Sequence, residues 1–217
     1  MTIRPIYLIS VTPPNDPGII HLPILETKWL RPPIDLTRCD GIILTSKNGI
    51  EALERIDPAW KTLPVLCVGK ATKRRAEELG SEVLALSDGY GDGLYDIIRT
   101  HYAQKRWLYA RPKVIASDFA QRLRENGIEI EEAIVYETLC RAEKITENIA
   151  DNAVLIFTSP SALECFIGRF DFSPAQEIVV IGRTTQKSLL GRHAHVAPEP
   201  TVASCIALAK QLAKESP

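Results

Sequence analysis

Two stretches decide how this chain is read: Ile42–Leu53, IILTSKNGIEAL, and Leu155–Phe166, LIFTSPSALECF. Each runs from a short apolar strand through Thr-Ser into a segment with helical apolar spacing, and their threonines, Thr45 and Thr158, stand 113 positions apart. The same offset carries Val65–Thr72, VLCVGKAT, onto Ile178–Thr185, IVVIGRTT, and Val83 onto Val196. A register held over three successive strand-helix units marks an internal duplication.

A chain of 217 residues holds two copies of about 100 residues, each able to own a core. The composition is that of a globular protein, 45% hydrophobic and 24% charged, and a net charge of −1 gives no reason to expect a nucleic-acid or acidic-membrane partner. Any anion site must therefore be local. Cys39, Cys67, Cys140, Cys165 and Cys205 are odd in number, scattered and free of any C-x-x-C pair, which argues against a disulfide framework or zinc site and for most of them being core thiols, as expected in the cytosol. The apolar run Ile6–Ile9 is too short for a signal segment or membrane span, and no later run approaches one.

In chain order, Ile6–Ser10 reads as a buried strand, and the VTPPNDPG that follows is turn chemistry with no room for a helix. Ile19–Leu25, interrupted by Pro23, reads as an edge strand or connector, and Thr27–Thr37 as a linker. Strand-helix units follow: Gly41–Leu44 into Lys47–Ile56, Val65–Val68 into Ala71–Leu79 with Gly80 as its stop, and Val83–Leu86 into a loop, Ser87–Gly93, and a helix at Leu94–Tyr102. Trp107–Ala110 is a fourth strand, before a helix capped by Ser117 that ends at Asn126-Gly127. Ile128–Thr138 is long and alternating, suited to crossing from one domain to the next. The second copy has strands at Val154–Phe157, Ile178–Ile181 and Ala194–Ala197 and a last helix at Val202–Lys214, but no fourth unit. Ile6–Ser10 is expected to complete its sheet. The expected fold is α/β, with two mostly parallel sheets flanked by helices. Residues 1–26 and 139–217 would form one discontinuous domain, and 27–138 an inserted one.

Ligands of such sheets sit beyond the carboxyl ends of the strands, where every repeated polar motif falls: Thr45-Ser46, Gly69-x-x-Thr72, Thr158-Ser159 and Gly182-x-Thr184-Thr185. Two readings stay open. The hydroxyls can simply cap helices, at about 0.5–2 kcal/mol each. Alternatively, the helix N-termini bind anions through free N–H groups and the helix dipole, and four at matching places suit one polyanionic ligand. Lys47, Lys70, Lys73, Arg111, Lys113 and Arg183 stand near these ends, adding charge or merely solvated.

The chain has no G-x-x-x-x-G-K-[ST] loop, dinucleotide fingerprint, H-E-x-x-H or nucleophile elbow. His193-Ala194-His195 has no third ligand nearby in sequence and reads as a surface turn or strand end. No metal, cofactor or acid-base dyad is expected, so an enzyme here would work by holding a reactive substrate in one shape. Tyr136 sits either on a sheet edge or on a cleft wall, where its phenol could assist a leaving hydroxyl.

The Thr-Ser strand ends, V-G-x-x-T and I-G-x-T-T, the strand ending Ala110-Arg111, V-Y-E-T at Val135–Thr138 and the late Pro200-Thr201 together resemble the uroporphyrinogen-III synthase family, from about Cys39 to the C-terminus. The resemblance implies two α/β domains joined by a two-stranded connector with an interdomain cleft. It also implies that linear hydroxymethylbilane, a tetrapyrrole bearing eight carboxylates, is cyclised to uroporphyrinogen III with loss of water and inversion of the last pyrrole ring, without metal or cofactor. Carried onto matching positions, it assigns Thr45, Ser46, Thr72, Ser159, Ser161, Thr184 and Thr185 to substrate binding and Tyr136 to assisting hydroxyl departure. Two departures from the family pattern are the helix-free N-terminal loop and Pro112, which removes an N–H donor where the family often has glycine. A monomer acting on this small molecule is the expectation. The alternative is a non-enzymatic two-domain protein that binds a polyanionic small molecule.

Overall fold

A computed structural model describes residues 4–87, 91–115, 117–189 and 191–214. The chain divides into two compact units, Met1–Thr27 with Leu139–Pro217, and Lys28–Thr138. It passes from one to the other within two strands, β3 (Leu25–Trp29) and β8 (Ile130–Cys140).

The unit formed by Lys28–Thr138 is built on β4 (Gly41–Leu44), β5 (Val65–Val68), β6 (Val83–Ser87) and β7 (Trp107–Pro112), in the sheet order β3-β8-β7-β4-β5-β6. β4 through β8 pair in parallel. Because side chains alternate along a strand, both faces of the sheet are apolar. Ile42, Leu44, Val65, Cys67 and Leu108 face α1 (Lys47–Ile56) and α2 (Lys70–Glu78). Ile43, Leu66, Trp107 and Tyr109 face α3 (Gly91–His101) and α4 (Phe119–Glu125).

The other unit repeats the plan. β9 (Val154–Phe157), β10 (Glu177–Val180) and β11 (His195–Val196) are joined by β1 (Ile6–Ile9) and β2 (Ile20–Leu22) in the order β11-β10-β9-β1-β2. β1 pairs with β9 in parallel, Ile6 opposite Val154 through Ile9 opposite Phe157, so the N-terminal strand does complete the second copy's sheet. Tyr7, Ile9, Leu155 and Phe157 pack on α5 (Pro160–Ile167), and Ile6, Leu8, Val154 and Ile156 on α7 (Val202–Leu212). α6 (Arg183–Lys187) follows β10.

Two expectations are corrected. Thr27–Thr37 is not all linker, since β3 extends to Trp29 as the edge strand beside β8. Ser87–Gly93 is not all loop: Gly91 to Gly93 are helical, and a Cβ on Gly93 would collide with the Ser87 Oγ, so glycine there allows the helix to pack against β6. Its residues 88–90 lie outside the described residues. Most of the cysteines are core thiols as expected, but a disulfide is present. Cys140, at the end of β8, and Cys165, on α5, form a disulfide, while Cys39, Cys67 and Cys205 are free and buried. Among the described residues no helix is long and apolar enough to cross a membrane.

Candidate active site

The strand orders have a consequence for chemistry. Numbered locally from the first strand of each copy, and with the edge strand β3 set aside, both sheets read 3-2-1-4-5, so the chain reverses direction across the sheet between β4 and β7 in one unit and between β9 and β1 in the other. At such a switch point the two following connections leave on opposite faces, opening a crevice outside the strand ends.

At the β4–β7 point lie Thr45 and Ser46. Ser46 is the N-cap of α1, its Oγ accepting from the Gly49 N–H at 3.3 Å. The same Oγ stands 2.8 Å from the Tyr136 hydroxyl, which reaches over from β8. Tyr136 is buried, packed beside Trp29 with ring centroids 6.3 Å apart. Burial raises its pKa above the ordinary phenol range, the Ser46 hydrogen bond opposing this only in part. It is therefore a neutral donor at physiological pH. Thr45 Oγ1 lies 3.5 Å from the hydroxyl of Tyr109 on β7, whose pKa burial also raises. The Thr-Ser pair thus has a phenol on each side. The sequence reading missed Tyr109; the only signal was its place two residues before Arg111 in a strand ending at the switch point.

At the β9–β1 point Thr158 donates to the Ile9 carbonyl at 3.5 Å, and Ser159 caps α5 by accepting from the Ala162 N–H at 3.2 Å. Ser161 is exposed on the first turn of α5. Ser10, at the end of β1, was also overlooked; it donates to the Thr12 carbonyl at 2.6 Å and lies 3.3 Å from His21 Nε2.

The two glycine motifs are less alike than their sequences. Gly69 takes φ +78°, a left-handed conformation that favours glycine, whereas Gly182 is extended and could be any residue. Thr72 and Thr185 are buried at 4% and 2% exposure, while Thr184 is exposed. α6 has only five residues, so its dipole is weaker than those of α1 and α2.

The basic residues divide. Arg111 is turned inward, with Nε against Glu132 and Nη1 donating to the Pro112 and Lys113 carbonyls at 2.9 and 3.2 Å. Lys113 pairs with Glu137 at 2.9 Å, and Lys73 with Glu77 at 3.6 Å. Lys47, Lys70 and Arg183, each opening its helix, are exposed, and among the described residues no carboxylate pairs with them. They are the cations available to an incoming anion.

His193 lies exposed on the segment leading into β11 and His195 in that strand, in keeping with a surface turn or strand end, and the fold brings Glu177, distant in sequence, beside them. That cluster lies at the amino end of β10, away from the strand ends just described.

Fold and strand ends together define a class: duplicated, doubly wound α/β proteins with polar rims at two switch points. Residues 17–207 match the sequence model of the family described as uroporphyrinogen-III synthase HemD, and the chain belongs to that family, whose members are enzymes of haem biosynthesis. Among solved structures it resembles uroporphyrinogen-III synthetase from Helicobacter pylori 26695, with TM-score 0.81 and 24% identity over 96% of this chain and 99% of that one. It also resembles a mutant uroporphyrinogen III synthase from the extremely thermophilic bacterium Thermus thermophilus, with TM-score 0.60 and 17% identity over 92% and 91% of the two chains. A comparison with curated protein sequences finds no match.

Proposed function

We propose that the chain is a carbon-oxygen lyase that cyclises hydroxymethylbilane to uroporphyrinogen III, using Tyr136 to assist departure of the hydroxyl. The observation that carries this reading is the 2.8 Å contact between the Tyr136 hydroxyl and Ser46 Oγ at the β4–β7 switch point. The Ser46 oxygen already accepts from the Gly49 N–H, so its own proton is free to go to the phenol oxygen. The phenol proton is then available to the departing hydroxyl. The C–O bond breaks, water leaves, and the electron-rich pyrrole takes up the positive charge before ring closure through a spiro intermediate. The exposed Lys47, Lys70 and Arg183, the α1 and α5 amino ends, and the hydroxyls of Thr45, Ser159, Ser161 and Thr184 receive substrate carboxylates. Thr72 and Thr185, being buried, shape the first turns beneath them. The same reading makes the chain a cytoplasmic monomer that needs no metal or cofactor for turnover.

Tyr136→Phe keeps the ring packing and deletes the proton. Loss of one hydrogen bond made in the transition state predicts a fall in kcat of about tenfold or more, with KM and circular dichroism little changed. Undiminished turnover in that variant would remove Tyr136 from the mechanism.

A further inference from the structure

The edge of the five-stranded sheet carries a cluster that the strand-end chemistry leaves unused. β11 has two residues, held to β10 by the parallel register Val179 to His195 and Val180 to Val196. Residues two apart on a strand share a face, so Glu177, two before Val179, rises on the same side as His195, and His193 follows on the turn leading into β11. His195 Nε2 lies 3.0 Å from Glu177 Oε2. The two imidazole rings meet edge to face with centroids 4.8 Å apart, and one ligand atom from each of the three residues falls within 4.8 Å of the others. Glu177 and His195 are half-buried, and His193 is exposed.

We propose that Glu177, His193 and His195 form a divalent transition-metal site. Two imidazoles and one carboxylate suit zinc, cobalt(II) or nickel(II) and not magnesium or calcium, which prefer oxygen ligands. Ligand atoms about 2.1 Å from one tetrahedral ion stand about 3.4 Å apart, so the His195–Glu177 pair is already near ligand spacing. His193 closes the set by rotation of an exposed side chain. Arg4 does not block it: its guanidinium donates to the Asn152 and Ala175 carbonyls at 2.6 and 2.5 Å and lies 3.9 Å from Oε1, the other carboxylate oxygen. Three protein ligands leave a position for water. Because Glu177 opens β10, whereas Gly182 and Thr185 follow its far end, the ion ties the two-residue edge strand to the sheet and takes no part in turnover.

The test is zinc calorimetry, with cobalt(II) absorption as an independent readout, on the full chain stripped of metal. The proposal predicts one equivalent of zinc, a cobalt d–d spectrum without a thiolate charge-transfer band, and a zinc-dependent rise in Tm. His193→Ala, at an exposed position that leaves folding intact, is expected to weaken zinc binding by about 100-fold or more, since even changes behind the ligands cost 10–100-fold. Glu177→Gln should do the same, and hydroxymethylbilane turnover of both variants should match the parent. Zinc bound equally by parent and His193→Ala, or by neither, would overturn the site.

Discussion

Tyr136 and Tyr109 flank the Thr45-Ser46 pair on opposite faces of one sheet, Tyr136 in the core with α1 and Tyr109 against Phe119. Each is buried, and for each burial is the chief cause of a pKa above the ordinary phenol value of about 10. The sign of the effect on stability follows. In the unfolded chain both phenols lose their protons as the pH passes about 10, while in the folded chain they keep them. The folded state therefore holds its full stability below that pH and loses it as the pH rises further. Denaturant unfolding between pH 8 and 11 should show a steep decline for the parent and a shallower one for Tyr109→Phe; parallel curves would contradict the assignment. The buried thiols behave alike, with desolvation pushing Cys67 to about 12 and Cys205 to about 11, so neither is a nucleophile at neutral pH.

At the scale of elements, close approach decides what can change. Gly41 on β4 lies in register with Trp107 on β7, and a Cβ at Gly41 would come within 2.6 Å of the Trp107 ring and 3.1 Å of the Pro64 carbonyl oxygen. Gly41→Ala is expected to cost about 1–3 kcal/mol by overpacking, read as a lower denaturation midpoint at unchanged slope. A stability equal to the parent's would mean that the β4–β7 contact yields more easily than the packing implies. The same scale shows what the sequence could reveal. β4, β5, β9 and β10 were legible because they are apolar on both faces and recur at a constant offset. β3 was not, since LETKW buries only Leu25 and its strand character comes from the neighbouring β8. The helical Gly91–Gly93 escaped notice because the glycine at 93 answers to Ser87 on another element. Glu177 became a neighbour of His193 and His195 only through the β10–β11 pairing, and Cys165 met Cys140 only when α5 packed beside the end of β8. At the candidate site, Ser46, Ser159 and Tyr136 could be picked from motif and place. The burial of Thr72 and Thr185 and the inward turn of Arg111 depend on packing that no spacing records.

For the molecule as a whole, duplication explains why two sheets of the same order carry matching polar rims, one of them completed by an N-terminal strand. The disulfide closes a 25-residue separation within one unit, and a loop of that length contributes about 3 kcal/mol by restricting the unfolded chain. In denaturant three thiols should react without reductant and five with it, and reduction should lower unfolding free energy by about that amount. Five reactive thiols without reductant would remove the crosslink. If this chain directs inversion of the last pyrrole ring, the isomer ratio of the cyclised product reports it. Purified protein given freshly generated hydroxymethylbilane, with the products oxidised and separated, should yield predominantly type III uroporphyrin in proportion to the protein added. Type I alone, formed at the spontaneous rate, would contradict it.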